Sequence, residues 1–314
     1  MTLLYLEEKF KGRSLLTLHD YTGEEIENIL QVALKLKEQQ KRGEPHRLLV
    51  GKTLGMIFQK HSTRTRVSFE VGMYQLGGYP LFLSSQDLQM GRGEPIEDTA
   101  RVLGRYVDAI MIRTYRQSDL ELLAEHSGIP VINGLTDLFH PCQVLADLLT
   151  IKEKKGKLAG LKLAYVSDGN NMAHSLMIGG AKVGMDVTII TPEGYEPLEE
   201  VVEMARKDAA EKGALIEVTN DPSAVKGTDV IYTDVWASMG QEHEQEERKK
   251  VFKPYQANSK LVSLAKKDAI VMHCLPAHRG EEITEEVLEG SQSVVFDEAE
   301  NRLHAQKAVL ALVM

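Results

Sequence analysis

The segment QKHSTRTRVSFE, residues 59 to 70, concentrates basic and hydroxyl side chains in a chain whose formal net charge is −9. Hydroxyl and guanidinium groups follow one another here, in the order Ser62, Thr63, Arg64, Thr65, Arg66. Guanidinium groups donate paired hydrogen bonds to phosphate oxygens, and hydroxyls add further donors. An ordinary helix cap followed by solvated arginines would also produce such residues, but five in succession favour a site for a small anion.

The motif lies between a predicted strand and a predicted helix. GKTLGMIFQ (51–59) is short and apolar, and RVSFEVGMYQLGG (66–78) carries apolar residues at helical spacing before a double glycine. The first backbone N–H groups of a helix lack partners within the helix. Together with the positive end of the helix dipole they favour a bound phosphate.

Strands and helices are predicted to alternate along the rest of the chain. Further apolar runs are VDAIMI (107–112), LKLAYVSD (161–168), MDVTIITP (185–192), TDVIYTD (228–234) and DAIVMHCLP (268–276). Alternation of this kind implies parallel sheets with helices on both faces. Because 314 residues are many for one hydrophobic core, we expect an α/β protein of two doubly wound parallel-sheet domains with flanking helices.

Polar residues follow these runs at the points where ligands gather in parallel sheets, the carboxyl ends of the strands. They are the 62–66 motif, Arg113, the stretch from Asp168 to Asn171, Asp234, and the pair His273 and Cys274. The coincidence predicts that the functional groups lie at these strand ends.

Two cysteines, Cys142 in FHPCQ and Cys274 in MHCLPAH, each stand near histidine. Two distant cysteines are no disulfide framework. With His140, His273 and His278 they leave a zinc hydrolase open as an alternative, although neither cluster has a usual zinc spacing. FHPCQ otherwise indicates either donors for a polarised carbonyl group or a cap on a helix that begins with proline.

Composition and motifs exclude several classes of function. Net acidity argues against a nucleic-acid partner, which needs a basic face. The longest apolar runs are too short to cross a membrane, and we expect a cytoplasmic protein. SDGNNMAHS (167–175) follows a strand, but it lacks the G-x-G-x-x-G of a nicotinamide site.

DVWASMGQEHEQEERKK (234–250) is either a solvated loop or a mobile lid.

Four stretches in this order, STRTR, HPCQ, DVWASMG and HCLPAHRGEE, resemble the ornithine carbamoyltransferases of the aspartate/ornithine carbamoyltransferase family. Those enzymes make citrulline and phosphate from carbamoyl phosphate and ornithine. S-T-R-T with H-P-x-Q is typical of carbamoyltransferases in general, whereas D-x-x-x-S-M-G and H-C-L-P are typical of the ornithine enzymes. The resemblance runs nearly end to end, and every motif position is present.

The resemblance implies a set of site residues. Those implied to bind carbamoyl phosphate are Ser62, Thr63, Arg64, Thr65, Gln89, Arg113, His140, Gln143, Cys274, Leu275 and Arg302. Those implied to bind ornithine are Asn171, Asp234, Ser238 and Met239. The catalytic groups are implied to be Cys274, Asp234, His140 and Arg113. No cofactor and no metal ion are expected.

The resemblance also implies an organisation of the chain. A carbamoyl-phosphate-binding domain of residues 1–135, joined by the C-terminal helix 297–314, would connect through a linking helix at 136–152 to an ornithine-binding domain at 153–296. The active site would lie in the cleft between the two domains. Relatives form trimers, so a homotrimer or a multiple of trimers is expected.

The implied chemistry is direct attack of the ornithine side-chain amine on the carbamoyl carbon, with phosphate as the leaving group. That amine has a reference pKa of about 10.4, so it arrives protonated. Either Cys274 or the departing phosphate could accept the proton. Alternatives are a related carbamoyltransferase that uses putrescine or acetylornithine, and a catalytically silent relative that binds carbamoyl phosphate for regulation.

Overall fold

The computed structural model describes residues 8–237, 240 and 242–314. It divides into two compact units. Unit 1 runs to Ala146 and adds Asn301–Met314, and unit 2 is Asp147–Glu300. The division falls inside two helices, Pro141–Lys155 and Val295–Val313, so each of these helices contributes to both units.

Unit 1 is built on a parallel sheet of four strands. They are β1 Thr53–Phe58, β2 Tyr79–Ser84, β3 Ala109–Arg113 and β4 Val131–Leu135, in the order β2-β1-β3-β4. The predictions of β1 and β3 are confirmed. β2 and β4 were missed because β2 is an edge strand with partly exposed side chains and β4 contains asparagine and glycine.

The helices of unit 1 begin in different ways, and the first two have side-chain caps. They are α1 Gly23–Lys41, α2 Thr63–Gln75, α3 Ile96–Leu103, α4 Gln117–Ser127 and the first part of α5 Pro141–Lys155. A capping box of Thr22 and Glu25 starts α1, and the hydroxyl of Ser62 caps α2. The predicted helix start at the hydroxyl-rich motif is therefore confirmed.

Unit 2 repeats the architecture with five strands, all parallel. The strands are β5 Lys162–Val166, β6 Asp186–Ile190, β7 Ile216–Thr219, β8 Val230–Thr233 and β9 Ile270–His273, in the order β7-β6-β5-β8-β9. The helices are α6 Asn171–Val183, α7 Glu199–Ala210, α8 Gln245–Phe252, α9 Ser259–Val262, α10 Glu285–Leu288 and α11 Val295–Val313, whose last part belongs to unit 1.

Fully buried side chains of β5, β8 and β9 contribute to one core of unit 2. Near-continuous apolar strands are typical of parallel sheets covered on both faces, which is why these strands could be predicted from sequence. Among the described residues, the helices do not combine the length and apolar character needed to cross a bilayer. The two-domain α/β prediction is confirmed.

Candidate active site

The start of α2 brings the hydroxyl-rich motif to the carboxyl end of β1. The Ser62 hydroxyl accepts a hydrogen bond from the backbone N–H of Thr65 at 3.1 Å. This cap fixes the first turn and turns the Thr65 side chain inward, where it is fully buried. Thr63 is exposed and Arg64 is half-buried, so the side chains of the motif differ in their solvent exposure.

The Thr65 hydroxyl is the meeting point of two buried guanidinium groups. It accepts from Nη2 of Arg302 at 3.1 Å and from Nη1 of Arg113 at 3.5 Å. Arg113 ends β3 and Arg302 lies on α11. Nη1 of Arg302 also donates to Oε1 of the buried Gln143, in the first turn of α5, at 2.6 Å. Two cations at a helix N-terminus make this an anion site.

His140, just before α5, is 6 % exposed and lies among the same cations. Burial, followed by the charges of Arg302, Arg113 and Arg64, holds the pKa of His140 well below its usual value. The ring is therefore neutral near pH 7. A neutral imidazole carries one N–H donor, which suits a carbonyl oxygen that gains negative charge.

Cys142, two residues further on, has a structural role in unit 1. It is completely buried, and its thiol donates to the backbone oxygen of Asn133 in β4 at 3.3 Å. Burial raises the pKa of this thiol to about 12, although the charge of Arg302 opposes the rise. A thiol held in this state does not fit the zinc ligand that the alternative hypothesis required.

Two basic residues of the 59–70 segment are engaged away from Thr65. Lys60 pairs with Asp137, and its ammonium lies 4.4 Å from the centroid of the Tyr115 ring. Arg66 is exposed, donates to Glu70 at 3.0 Å and stacks over Phe82. The anion site thus draws its arginines from β3 and α11 as well as from the motif.

Gln89, another predicted ligand of carbamoyl phosphate, makes no described contact with Thr65, Arg113 or Arg302. It opens the short 3-10 turn Gln89–Arg92 and is exposed. Within the described part of the chain its side chain makes no hydrogen bond. Its predicted role stays a prediction.

Unit 2 holds a second cluster at the carboxyl ends of β5, β8 and β9. The thiol of Cys274 donates to Oδ1 of Asp234 at 3.1 Å. Asn170 donates to Oδ2 of the same carboxylate at 3.0 Å, and the Ser167 hydroxyl donates to the backbone oxygen of Asp234 at 2.7 Å. Asp234 is 6 % exposed and its carboxylate is held from both sides.

Cys274 is a protonated thiol in this arrangement. Burial, followed by the negative charge of Asp234, raises the pKa of Cys274 well above its usual value. The next residue, Leu275, has a φ of 57°, and its N–H donates to Nδ1 of His273 at 2.9 Å. The backbone around the thiol is thereby fixed in a conformation that non-glycine residues rarely adopt.

The predicted ornithine ligands are described only in part. Asn171 is the half-buried first residue of α6, whereas Ser238 and Met239 lie outside the described residues. Sequence reasoning did not assign a site role to Asn170, the helix cap that also contacts Asp234. Asn170 lies after β5 and directly before α6, and this position at a strand end could have indicated a site role.

Asp234, His273 and Cys274 present atoms of metal-ligand type within 4.8 Å of one another. However, Nδ1 of His273 accepts from Leu275, and Nε2 faces Oε1 of the buried Glu282 at 3.0 Å. Because Nδ1 accepts, Nε2 carries the proton, and both ring nitrogens are engaged. These residues do not fit a zinc site.

The 234–250 segment is packed around Trp236 and Arg248. Trp236 is 3 % exposed and stacks on Phe252, and its backbone oxygen accepts from Nη1 of Arg248 at 2.9 Å. Arg248 is also paired with Asp168 at 3.0 Å. These two residues do not match a solvated loop, whereas His243, Glu246 and Lys250 are exposed.

Comparison with known proteins gives consistent matches in both units. Residues 13–153 match the family model "Aspartate/ornithine carbamoyltransferase, carbamoyl-P binding domain", and residues 159–313 match "Aspartate/ornithine carbamoyltransferase, Asp/Orn binding domain". The ornithine carbamoyltransferase of Pyrococcus abyssi is 64% identical over 305 residues, covering 97% of this chain and 96% of the relative. The anabolic ornithine carbamoyltransferase of Pyrococcus furiosus is 64% identical over 304 residues, 96% of each chain.

A solved structure supports the same relationship at the level of the fold. The ornithine carbamoyltransferase from Pyrococcus furiosus superposes with a TM-score of 0.95 and 64% sequence identity. The match covers 97% of this chain and 98% of that one.

Proposed function

The chain belongs to the aspartate/ornithine carbamoyltransferase family, and we propose that it transfers the carbamoyl group of carbamoyl phosphate to the side-chain amine of L-ornithine. The products are L-citrulline and phosphate. The observation that carries this function is the buried Thr65 hydroxyl between the guanidiniums of Arg113 and Arg302 at the start of α2. It lies in the part of the chain that matches the carbamoyl-phosphate-binding model.

The residues of unit 1 act on carbamoyl phosphate in this proposal. The phosphate is held by Ser62, Thr63, Arg64, Thr65 and Arg113. The carbamoyl oxygen accepts from Thr65, Arg113 and His140, and the carbamoyl NH2 donates to Gln143. Negative charge grows on the carbonyl oxygen and on the departing phosphate during attack, so preorganised donors aimed at both stabilise the transition state.

Further contacts to carbamoyl phosphate are part of the proposal. Arg302 contributes its charge to the site, the backbone near Cys274 and Leu275 accepts from the carbamoyl NH2, and Gln89 supplies a ligand near a subunit boundary. The exposed position of Gln89 within one chain agrees with a role at such a boundary.

The residues of unit 2 act on ornithine. Asn171, Ser238 and Met239 hold the amino acid, and Asp234 attracts the side-chain amine. The carboxylate of Asp234 is already oriented by Asn170 and by the thiol of Cys274. Oriented charge of this kind needs no rearrangement when the positively charged amine arrives.

The departing phosphate is the proton acceptor that we favour. The raised pKa of Cys274 and its S–H donation to Asp234 make the thiol a donor near pH 7 and not a base. The ammonium first releases one proton to solvent. The neutral amine nitrogen then bonds to the carbamoyl carbon, the bond from that carbon to the phosphate oxygen breaks, and the second amine proton leaves with the phosphate. Cys274 then positions Asp234 and the attacking nitrogen.

The function is tested by citrulline formation from carbamoyl phosphate with L-ornithine, in competition with putrescine, acetylornithine and aspartate. We expect ornithine to be preferred by at least 100-fold in kcat/KM, because a site that pairs both ends of an amino acid rejects analogues that lack one end. Preference for another amine would identify a related carbamoyltransferase. Phosphate-site binding without turnover of any amine would identify a catalytically silent relative.

The proposal also covers the oligomeric state of the protein, its cellular location and its metabolic role. Apolar side chains on α2 and on the edge strand β2, among them Val67, Tyr74 and Tyr79, are at least half exposed. Exposed apolar side chains on a helix and an edge strand are typical of an interface, which supports a homotrimer or a multiple of trimers. We propose a cytoplasmic enzyme of arginine biosynthesis, in line with the anabolic name of the Pyrococcus furiosus relative.

A further inference from the structure

Gln306 is a fully buried amide on α11, one helical turn beyond Arg302. Residues four apart on a helix lie on the same face, so the two side chains are neighbours. A guanidinium has only donors, so the amide oxygen of Gln306 must be the atom that faces it. In that orientation the oxygen accepts from Nη2 of Arg302 at 3.0 Å and from Nε at 3.3 Å.

These two bonds occupy one edge of the planar guanidinium, the edge formed by Nε and Nη2. The other edge, formed by Nη1 and Nη2, then points to Gln143 at 2.6 Å and to the Thr65 hydroxyl at 3.1 Å. Because the guanidinium group is planar and rigid, hydrogen bonds along one edge also fix the direction of the other edge. Gln306 therefore determines where Arg302 aims its charge.

The amide nitrogen of Gln306 is anchored in turn to α2. It donates to the Ser68 hydroxyl and to the backbone oxygen of Arg302, the latter at 3.2 Å. The Ser68 hydroxyl donates to the backbone oxygen of Arg64 at 2.6 Å. The chain of contacts thus runs from the phosphate-site residue Arg64 through Ser68 and Gln306 to Arg302.

We propose that Gln306 is a positioning residue for the anion site: it holds Arg302 against Thr65 and Gln143 and thereby sets the affinity for carbamoyl phosphate. This inference rests on the proposed function of unit 1. It adds a residue that makes no contact of its own with Thr65 among its described bonds, and that acts through Arg302.

The test uses the full-length chain and inorganic phosphate as the probe of the anion site. Gln306→Met keeps the volume of the side chain and removes both amide functions. We expect the dissociation constant for phosphate, measured by calorimetry, and the KM for carbamoyl phosphate to rise about tenfold, as for the loss of hydrogen bonds to a charged group. The KM for ornithine is expected to stay unchanged.

A double-mutant cycle distinguishes positioning from a purely structural role. If Gln306 acts through Arg302, Gln306→Met adds no further loss of phosphate affinity to an Arg302→Met variant. Gln75→Met is the matched control, because the Gln75 amide also accepts from a buried cation, Nζ of Lys307 at 2.9 Å. The control is expected to lower the melting temperature without changing phosphate affinity.

Gln306→Leu serves if the methionine variant does not fold. It also removes the oxygen that accepts from Arg302, so phosphate affinity is expected to fall by a similar factor. Phosphate affinity at the wild-type value in either folded variant, or additive losses in the cycle, would overturn the proposal. Failure of the wild-type chain to form citrulline would instead refute the proposed function.

Discussion

The protonation states of Cys274 and His140 determine whether these side chains act as bases or as hydrogen-bond donors. A cysteine and a histidine in a carbamoyltransferase motif invite assignment as base and acid. Burial and neighbouring charge push both towards their neutral forms, because Cys274 faces Asp234 and His140 lies among three arginines. Each is therefore a hydrogen-bond donor near pH 7, and the arginines supply the charge of the anion site.

The pH profile of a Cys274→Ser variant tests this assignment. The pKa of the thiol is raised, so it is protonated throughout the range below about 9, and a hydroxyl can replace its bond to Asp234. We expect the profile of kcat/KM for ornithine between pH 6 and pH 9 to keep the wild-type shape, with a change only in its height. A limb that is present in the wild type and missing in the variant would make the thiolate the base.

At the scale of elements, the cap of α2 links folding to binding. Ser62 caps α2 by accepting from the N–H of Thr65, and the Thr65 hydroxyl in turn contacts both arginines. The Ser62 cap thus stabilises α2 and also positions the Thr65 hydroxyl in the anion site. Caps contribute about 1 kcal/mol to stability in general, so the two effects can be separated by a matched variant.

Ser62→Ala is expected to lower the free energy of unfolding by about 1 kcal/mol and to raise the KM for carbamoyl phosphate. Thr22→Ala removes the equivalent cap of α1 in the same unit and is expected to cost a similar free energy with an unchanged KM. Denaturant titration and initial rates give the two quantities. If both variants have the same KM for carbamoyl phosphate, the Ser62 cap does not position the anion site.

For the whole molecule, the assembly can be argued from exposed apolar side chains of α2 and β2. Tyr74 is 77 % exposed, and Tyr79 on the edge strand is 64 % exposed. Exposed aromatic side chains beside an unpaired sheet edge are a liability unless another chain covers them. The proposed trimer would cover these side chains with neighbouring copies.

Sedimentation of the native protein tests the assembly. We expect a mass of three times the 35.0 kDa chain, or a multiple of that value. A Val67→Lys/Tyr74→Lys variant is expected to sediment as smaller species, because charge at a desolvated interface is costly. Leu215→Lys, at a site in unit 2 that is 60 % exposed, is the control and should leave the mass unchanged. A wild-type monomer would contradict the proposal.

From local sequence patterns we could predict the alternation of strands and helices, the start of α2 and the strand ends that carry polar residues. These depend on local patterns: apolar runs, capping hydroxyls and the fixed direction of parallel strands. These patterns missed β2 and β7, which are edge strands with partly exposed side chains, and β4, which contains asparagine and glycine. The predicted domain boundaries stay predictions.

The partners of each functional group follow from tertiary contacts that local patterns do not reveal. Arg302 meets Thr65 across 237 residues of sequence, and Asn170 meets Asp234 across 64. Tertiary contacts likewise determine that Arg66 turns to Glu70 and Phe82, that both nitrogens of His273 are engaged, and that the Cys274 thiol keeps its proton. Burial and long-range contacts set these properties, and neither is encoded in the spacing of a motif.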